Sequence, residues 1–245
     1  MNLAIIACKA LTRDLSYALA LSPHICEIFW MEQGLHNTPE LLREQLQEQL
    51  RQVEERHCAL PEHKRYDAIL LGYGLCSNGI VGVGSAVLPV VAPRCDDCIA
   101  LFLGSQERYL TLFKSHSGIY WYNPGWIEQG ELPSEETTRR KYDEFVELYG
   151  EDNADFLMEN EIAWVKNYSV CGYIRSPFYH SDALTDRVRE AAAFFDWQYM
   201  EFDGKMDFFT KLTGGDWNDT DFLVCQSGQR IAESYDERKI IAVEI

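Results

Sequence analysis

Asp67-Ala68-Ile69-Leu70-Leu71-Gly72-Tyr73-Gly74-Leu75-Cys76-Ser77-Asn78-Gly79 decides the fold. An unbroken apolar run of strand length feeds a glycine-rich loop, without the alternation of a strand that keeps one wet face. Residues 3–7, 26–30 and 88–92 repeat the apolar run, the last stopped by Pro93. Helical patterns lie between them. Residues 11–21 form one, broken at Ser22-Pro23. A second starts with Thr38 as N-cap, Pro39 at the first helical position and Glu40 complementing the dipole. Leu42, Leu46, Leu50 and Val53 continue it at intervals of three or four, and it is expected to end near His57. Continuous apolar strands alternating with helices predict a doubly wound α/β fold: a parallel sheet covered on both faces.

Beyond about residue 110 the pattern loosens. Residues 120–126 read as an aromatic strand ending in a turn, and 135–149 and 153–167 as polar helices. Residues 169–174, 197–202 and 221–225 read as strands, with a helix over 182–195. This predicts an α/β lobe over 1–110 and a second, less regular α/β lobe over 111–245.

Composition narrows the function. Of 245 residues, 47% are hydrophobic and 13% aromatic, enough for a real core, which sets disorder aside. The formal net charge of −17, from 39 acidic and 22 basic residues, opposes nucleic acid and anionic membranes alike. The N-terminus reads as a first strand and not as a signal peptide. No apolar run nears the ~20 residues of a spanning helix. The cytoplasm is therefore the expected location. In that reducing compartment the eight cysteines do not form a disulfide framework, and any that cluster suggest ligation or thiol chemistry.

In an open parallel sheet, ligands bind beyond the carboxyl ends of the strands. Cys8 follows the first strand, His36 lies beyond the second, Cys76 follows the third, and Arg94-Cys95-Asp96-Asp97-Cys98 follows the fourth. Thiolate and imidazole are the preferred ligands of zinc, so Cys8, Cys76 and Cys98 are the expected metal ligands. His36 is a fourth ligand or an acid–base group. Arg94 is read as a clamp for an anionic substrate group and Asp97 as a base or a partner to a ligand.

Plainer readings stand beside these: Cys8 as packing, His36 as part of its turn, and Arg94 with Asp97 as a brace within their loop. Cys98 opens a helix, whose dipole would lower its thiol pKa. Cys95 and Cys98 form a single Cys-x-x-Cys pair, and a zinc ribbon needs two. Gly74 and Ser77, in the glycine-rich loop, and Trp126, beside Gly125, are the expected cofactor contacts. The loop matches neither a Rossmann fingerprint nor a P-loop.

Five blocks carry a family resemblance: Leu35-His36-Asn37-Thr38-Pro39, Gly72-Tyr73-Gly74-Leu75-Cys76, residues 93–101 from Pro93 to Leu101, Leu103-Gly104-Ser105, and Pro124-Gly125-Trp126-Ile127-Glu128. They resemble the family catalogued as domain of unknown function 1638, of anaerobic bacteria and archaea. The likeness spans residues 8–128 and, more weakly, 214–228. Cys8, His36, Cys76, Arg94, Asp97 and Cys98 match its pattern, whereas Cys95 and Asp96 depart from it, which weakens a redox role for the Cys-x-x-Cys pair. The resemblance implies a link to corrinoid-dependent one-carbon metabolism. The expected function is thus a zinc-thiolate protein that transfers a methyl or similar small group, with a small molecule or a corrinoid protein as substrate. The alternatives are a non-catalytic metal- or cofactor-binding accessory protein, and an iron–sulfur cluster held by the same cysteines.

Overall fold

The computed structural model describes residues 1–116 and 118–245. The chain divides into two compact units, Met1–Tyr109 with Lys205–Ile245, and Leu110–Gly204. The expected lobe over 111–245 is therefore two pieces of chain: residues 205–245 return to the first unit. The reason is a strand pairing that local patterns do not reveal, described below.

In chain order the first unit contains β1 (Asn2–Cys8), α1 (Thr12–Leu21), β2 (Ile25–Met31), α2 (Pro39–Ala59), β3 (Ala68–Gly72), β4 (Gly84–Ser85), β5 (Val90–Pro93) and α3 (Cys98–Leu103). The helix α4 (Gln106–Ser115) leads out of it. The second unit holds β6 (Ile119–Tyr122), α5 (Pro124–Gln129), α6 (Glu135–Tyr149), α7 (Glu151–Glu161), β7 (Val170–Arg175), α8 (Asp182–Phe194) and β8 (Gln198–Asp203). Then α9 (Asp207–Gly214), β9 (Phe222–Cys225), β10 (Gln229–Glu233) and β11 (Ile240–Glu244) rejoin the first.

The main sheet has the order β2-β1-β3-β5-β9. Its first four strands are parallel, and β9 closes the far edge antiparallel, with Phe222 opposite Pro93. The chain steps outward from β1 to β2, then back across to β3 and β5. With right-handed crossovers, that reversal puts α1 and α2 on opposite faces. The central strand is dry on both: Leu3, Ala4, Ile5, Ile6 and Ala7 are all fully buried, which is why no polar residue interrupts them. On α2 the buried stripe is Leu42, Leu46, Leu50 and Val53. Thr38 precedes that helix without a side-chain capping bond, Pro39 holds its first turn, and it runs two residues past His57 to Ala59.

The hairpin β10–β11 pairs with β4 in a small antiparallel sheet. In the second unit β6-β7-β8 form a parallel sheet around a core of Tyr122, Ile127, Cys171, Tyr173, Val188 and Trp197. The aromatic strand expected over 120–126 stops at Tyr122, because Asn123 caps a new helix by accepting a bond from Trp126 N at 3.0 Å.

Asp14, in the first turn of α1, is 4% exposed. Burial pushes its carboxyl from 3.8 up to about 7, outweighing a backbone hydrogen bond and the nearby Arg13. The folded-state value is raised, so the stability contributed by neutral Asp14 is complete below about pH 4 and is lost as the pH rises through about 7. Asp14→Asn is expected to flatten this fall. Urea unfolding at pH 5 and pH 8 checks it, and equal slopes for the two proteins would refute it.

Candidate thiol site

Strands β1, β3 and β5 lie side by side, with Ala7 beside Gly72 and Leu70 beside Val91, so their carboxyl ends open on one edge. Gly72 is required there, because a Cβ would stand 2.5 Å from that of Ala7. Cys8 is the last residue of β1. Past β3, Leu75 N donates to Cys95 O at 2.9 Å and Cys76 N to Asp96 O at 3.0 Å, zipping the third-strand loop onto the loop after β5. Gly74 sits where a Cβ would meet the backbone of Asp97 at 2.7 Å. Its lack of a side chain serves loop-to-loop contact, not the cofactor approach expected from the sequence.

Cys76, Ser77 and Asn78 follow with φ of 46°, 58° and 65°, three consecutive non-glycine residues in the left-handed region. Each costs roughly 1–2 kcal/mol, and such strain collects at functional sites. The turn is held from outside. Arg43 Nη2 donates to Asn78 O at 3.2 Å, and Asn78 Nδ2 donates to Glu233 Oε2 at 2.9 Å. Asp97 caps α3 by accepting from Ile99 N at 2.9 Å, while its other oxygen accepts from the Tyr109 hydroxyl at 3.0 Å. Burial raises the Asp97 pKa despite these bonds.

Four thiols gather between the loops. Cys8, Cys76 and Cys95 are buried and Cys98 half-buried. Desolvation pushes Cys76 up to about 12, and the negative charges of Asp97 and Cys8 push the same way. The backbone N–H groups of Gly74 and Cys98 oppose them. Cys98 is raised well above its ordinary value by burial, then by Cys76, Asp97, Cys8 and Cys95. The helix opening at Cys98 therefore does not yield the lowered thiol pKa expected of it. Cys8 is likewise raised, mainly by burial. His36 lies in a short 3₁₀ turn, Leu35–Asn37, close enough to feel Asp97. Burial outweighs that carboxylate and lowers its pKa, favouring the neutral, ligating imidazole.

Tyr73 was missed by sequence reasoning. It is 4% exposed, its hydroxyl has no hydrogen-bond partner among the described residues, and burial, then Cys8, Cys76 and Cys98, raise its pKa. A tyrosine flanked by two glycines at a strand end was the available signal. A buried orphan hydroxyl costs about 1–3 kcal/mol. Tyr73→Phe is therefore expected to stabilise the ligand-free protein by about 1 kcal/mol in urea unfolding. A loss of that size would mean the hydroxyl has a partner after all.

Arg94, Trp126 and Ser77 have other surroundings than those expected of them. Arg94 turns away and spends its guanidinium on Phe222 O, Arg238 O, Ile240 O and Asp219, so it is no anion clamp, nor does it brace Asp97. Trp126 belongs to the second unit, edge-on to Tyr120 and Tyr122. Ser77 is exposed at the tip of the left-handed turn.

The donor chemistry, three thiols with an imidazole nearby, suits a thiophilic ion. Among the described residues, however, no three His, Cys, Asp or Glu side chains are arranged to hold a metal ion as they stand. Binding would have to draw the donors closer.

A mostly parallel sheet with thiols at its carboxyl edge defines an open-sheet α/β protein with a strand-end site. The family model described as Protein of unknown function (DUF1638) matches residues 30–213, and the chain belongs to that family. No curated protein and no solved structure matches the chain significantly. The matched stretch begins inside β2 and ends inside α9, so Cys8 and the C-terminal hairpin lie outside it. Among the described residues no helix is long and apolar enough to cross a membrane.

Proposed function

We propose that Cys8, Cys76 and Cys98, with His36 beside them, take up a thiophilic divalent ion, zinc first, in a protein that transfers a methyl or similar small group. One observation carries the metal reading: Cys8, Cys76 and Cys98 lie together beside the Asp97 carboxylate, near enough that ionising one would oppose ionising the next. Such a pocket holds its thiols neutral until a cation enters. A bound dication reverses the sign of the local field and lets the thiols ionise.

Zinc would supply a sulfur held as a nucleophilic thiolate at neutral pH. The chain's own groups do the rest. Neutral His36 ligates or accepts a proton, and Asp97 favours the protonated imidazole. The unpartnered Tyr73 hydroxyl donates to an acceptor atom on the bound group. The transfer step, to or from a thiol or corrinoid, rests on the family resemblance.

Elemental analysis of anaerobically purified protein tests the metal. About one zinc per chain is expected, lost in Cys76→Ser and in Cys98→Ser. Metal content unchanged by both substitutions would end this reading, and a brown iron–sulfur chromophore would replace zinc. Zinc-loaded protein that moves no methyl group between methylcobalamin and a small thiol would leave a metal-binding accessory protein.

A further inference from the structure

Among the described residues, strand β2 ends the main sheet with β1 as its sole strand neighbour, so one side of its backbone has no strand to pair with. The other sheet edges are guarded. The hairpin β10–β11 packs beside β9. Strand β6 has only four residues. Strand β8 carries Glu201 and Asp203, both ion-paired to Arg175. Short strands, charges and covering elements are the usual protections of an edge, along with proline and bulges. Strand β2, Ile25-Cys26-Glu27-Ile28-Phe29-Trp30-Met31, has seven residues, no proline and only one charge. Its single charge, Glu27, is engaged by Arg56 and Tyr66 of its own chain. Ile25 is 75% exposed, and residues 26–30 are half-buried.

We propose that β2 pairs antiparallel with β2 of a second copy of this chain, joining two five-stranded sheets across a two-fold axis at Ile28. The sequence of the strand selects both the occupant and the register. Centred on Ile28, all seven residues pair. Ile25 meets the partner's Met31, Cys26 meets the partner's Trp30, and Glu27 meets the partner's Phe29. Apolar and aromatic cross-strand pairs stabilise, whereas like charges directly opposite destabilise. A shift to centre on Glu27 would set two carboxylates face to face and leave two residues at one end of each strand unpaired. A two-fold axis makes the contact self-complementary and closed, so association stops at the dimer. The proposal is independent of the thiol site.

Sedimentation velocity of the full chain, in reducing buffer at about 0.15 M salt to screen the net charge, reads the mass. A species of twice 28.3 kDa is expected. Ile25→Lys changes an exposed residue and leaves the fold intact, which circular dichroism verifies. It acts twice per dimer and should raise the dimer dissociation constant about tenfold or more. A second variant tests the register. Residues opposite each other in such a pair have Cα atoms about 4.5–5.5 Å apart, within disulfide range. Ile28→Cys, in a Cys26→Ser, Cys58→Ser background, should form a covalent dimer when oxidised glutathione accepts the two electrons and two protons. A monomeric wild type, a dimer indifferent to Ile25→Lys, or an Ile28→Cys chain that stays uncrosslinked would each overturn the proposal.

Discussion

Arg94→Ala is expected to cost the fold about 3–5 kcal/mol, the range for removing one member of a buried charged hydrogen-bond set. The side chain is 5% exposed. Its Nε donates to Phe222 O and one Nη to Arg238 O, each at 3.1 Å. The same Nη also reaches Ile240 O, and the other Nη reaches Asp219 at 2.9 Å. One residue thus ties the end of β5 to β9 and to the start of β11. The ion pair is the minor part, because Asp219 is 88% exposed and such pairs contribute at most about 1 kcal/mol. The major part is the carbonyl oxygens of Phe222 and Ile240, which lose this donor, whereas Arg238 O still accepts from Ile240 N at 2.7 Å. Asp219→Asn should therefore cost less than about 1 kcal/mol. Urea unfolding of both variants separates the contributions, and equal small shifts would show that the carbonyls find water.

Gly74→Ala should cost about 3 kcal/mol and dismantle the thiol site with it. The new Cβ would stand 2.7–2.8 Å from the Cα, carbonyl carbon and oxygen of Asp97. Those are backbone atoms and cannot swing aside. The loops must part, which breaks the bonds from Leu75 N to Cys95 O and from Cys76 N to Asp96 O. Gly34→Ala is the control: φ is 92° there, yet nothing lies within 4 Å of the added Cβ, so only the backbone penalty of about 1 kcal/mol applies. Iodoacetamide labelling followed by mass spectrometry should find Cys76 and Cys98 more reactive in Gly74→Ala than in wild type. Matching stability and labelling in the two glycine variants would refute the wedge.

The sheet was legible because strands dry on both faces leave an uninterrupted apolar trace. Parallel order then sends each following loop to one edge, which made the neighbourhood of Cys8, His36, Cys76, Asp97 and Cys98 readable. Arg94 was misread because its acceptors lie more than 120 residues downstream, on strands whose pairing no local pattern announces. The hairpin left little trace: in Gln229–Glu233 only Ile231 is buried, too few residues for a period-two alternation. The left-handed turn was hidden more deeply. Of Cys76, Ser77 and Asn78, only asparagine favours that conformation, so the surrounding contacts, not local preference, impose it.

The grip of Glu233 on Asn78 has a consequence for biosynthesis. Translation delivers Cys8, Cys76 and Cys98 while Glu233 and Ile240, which fasten the Asn78 turn and Arg94, are still to be made. The nascent polypeptide thus carries its sulfur groups before the clasp that shapes them exists. A message cut short after residue 213 would encode every one of these thiols but neither Glu233 nor Ile240.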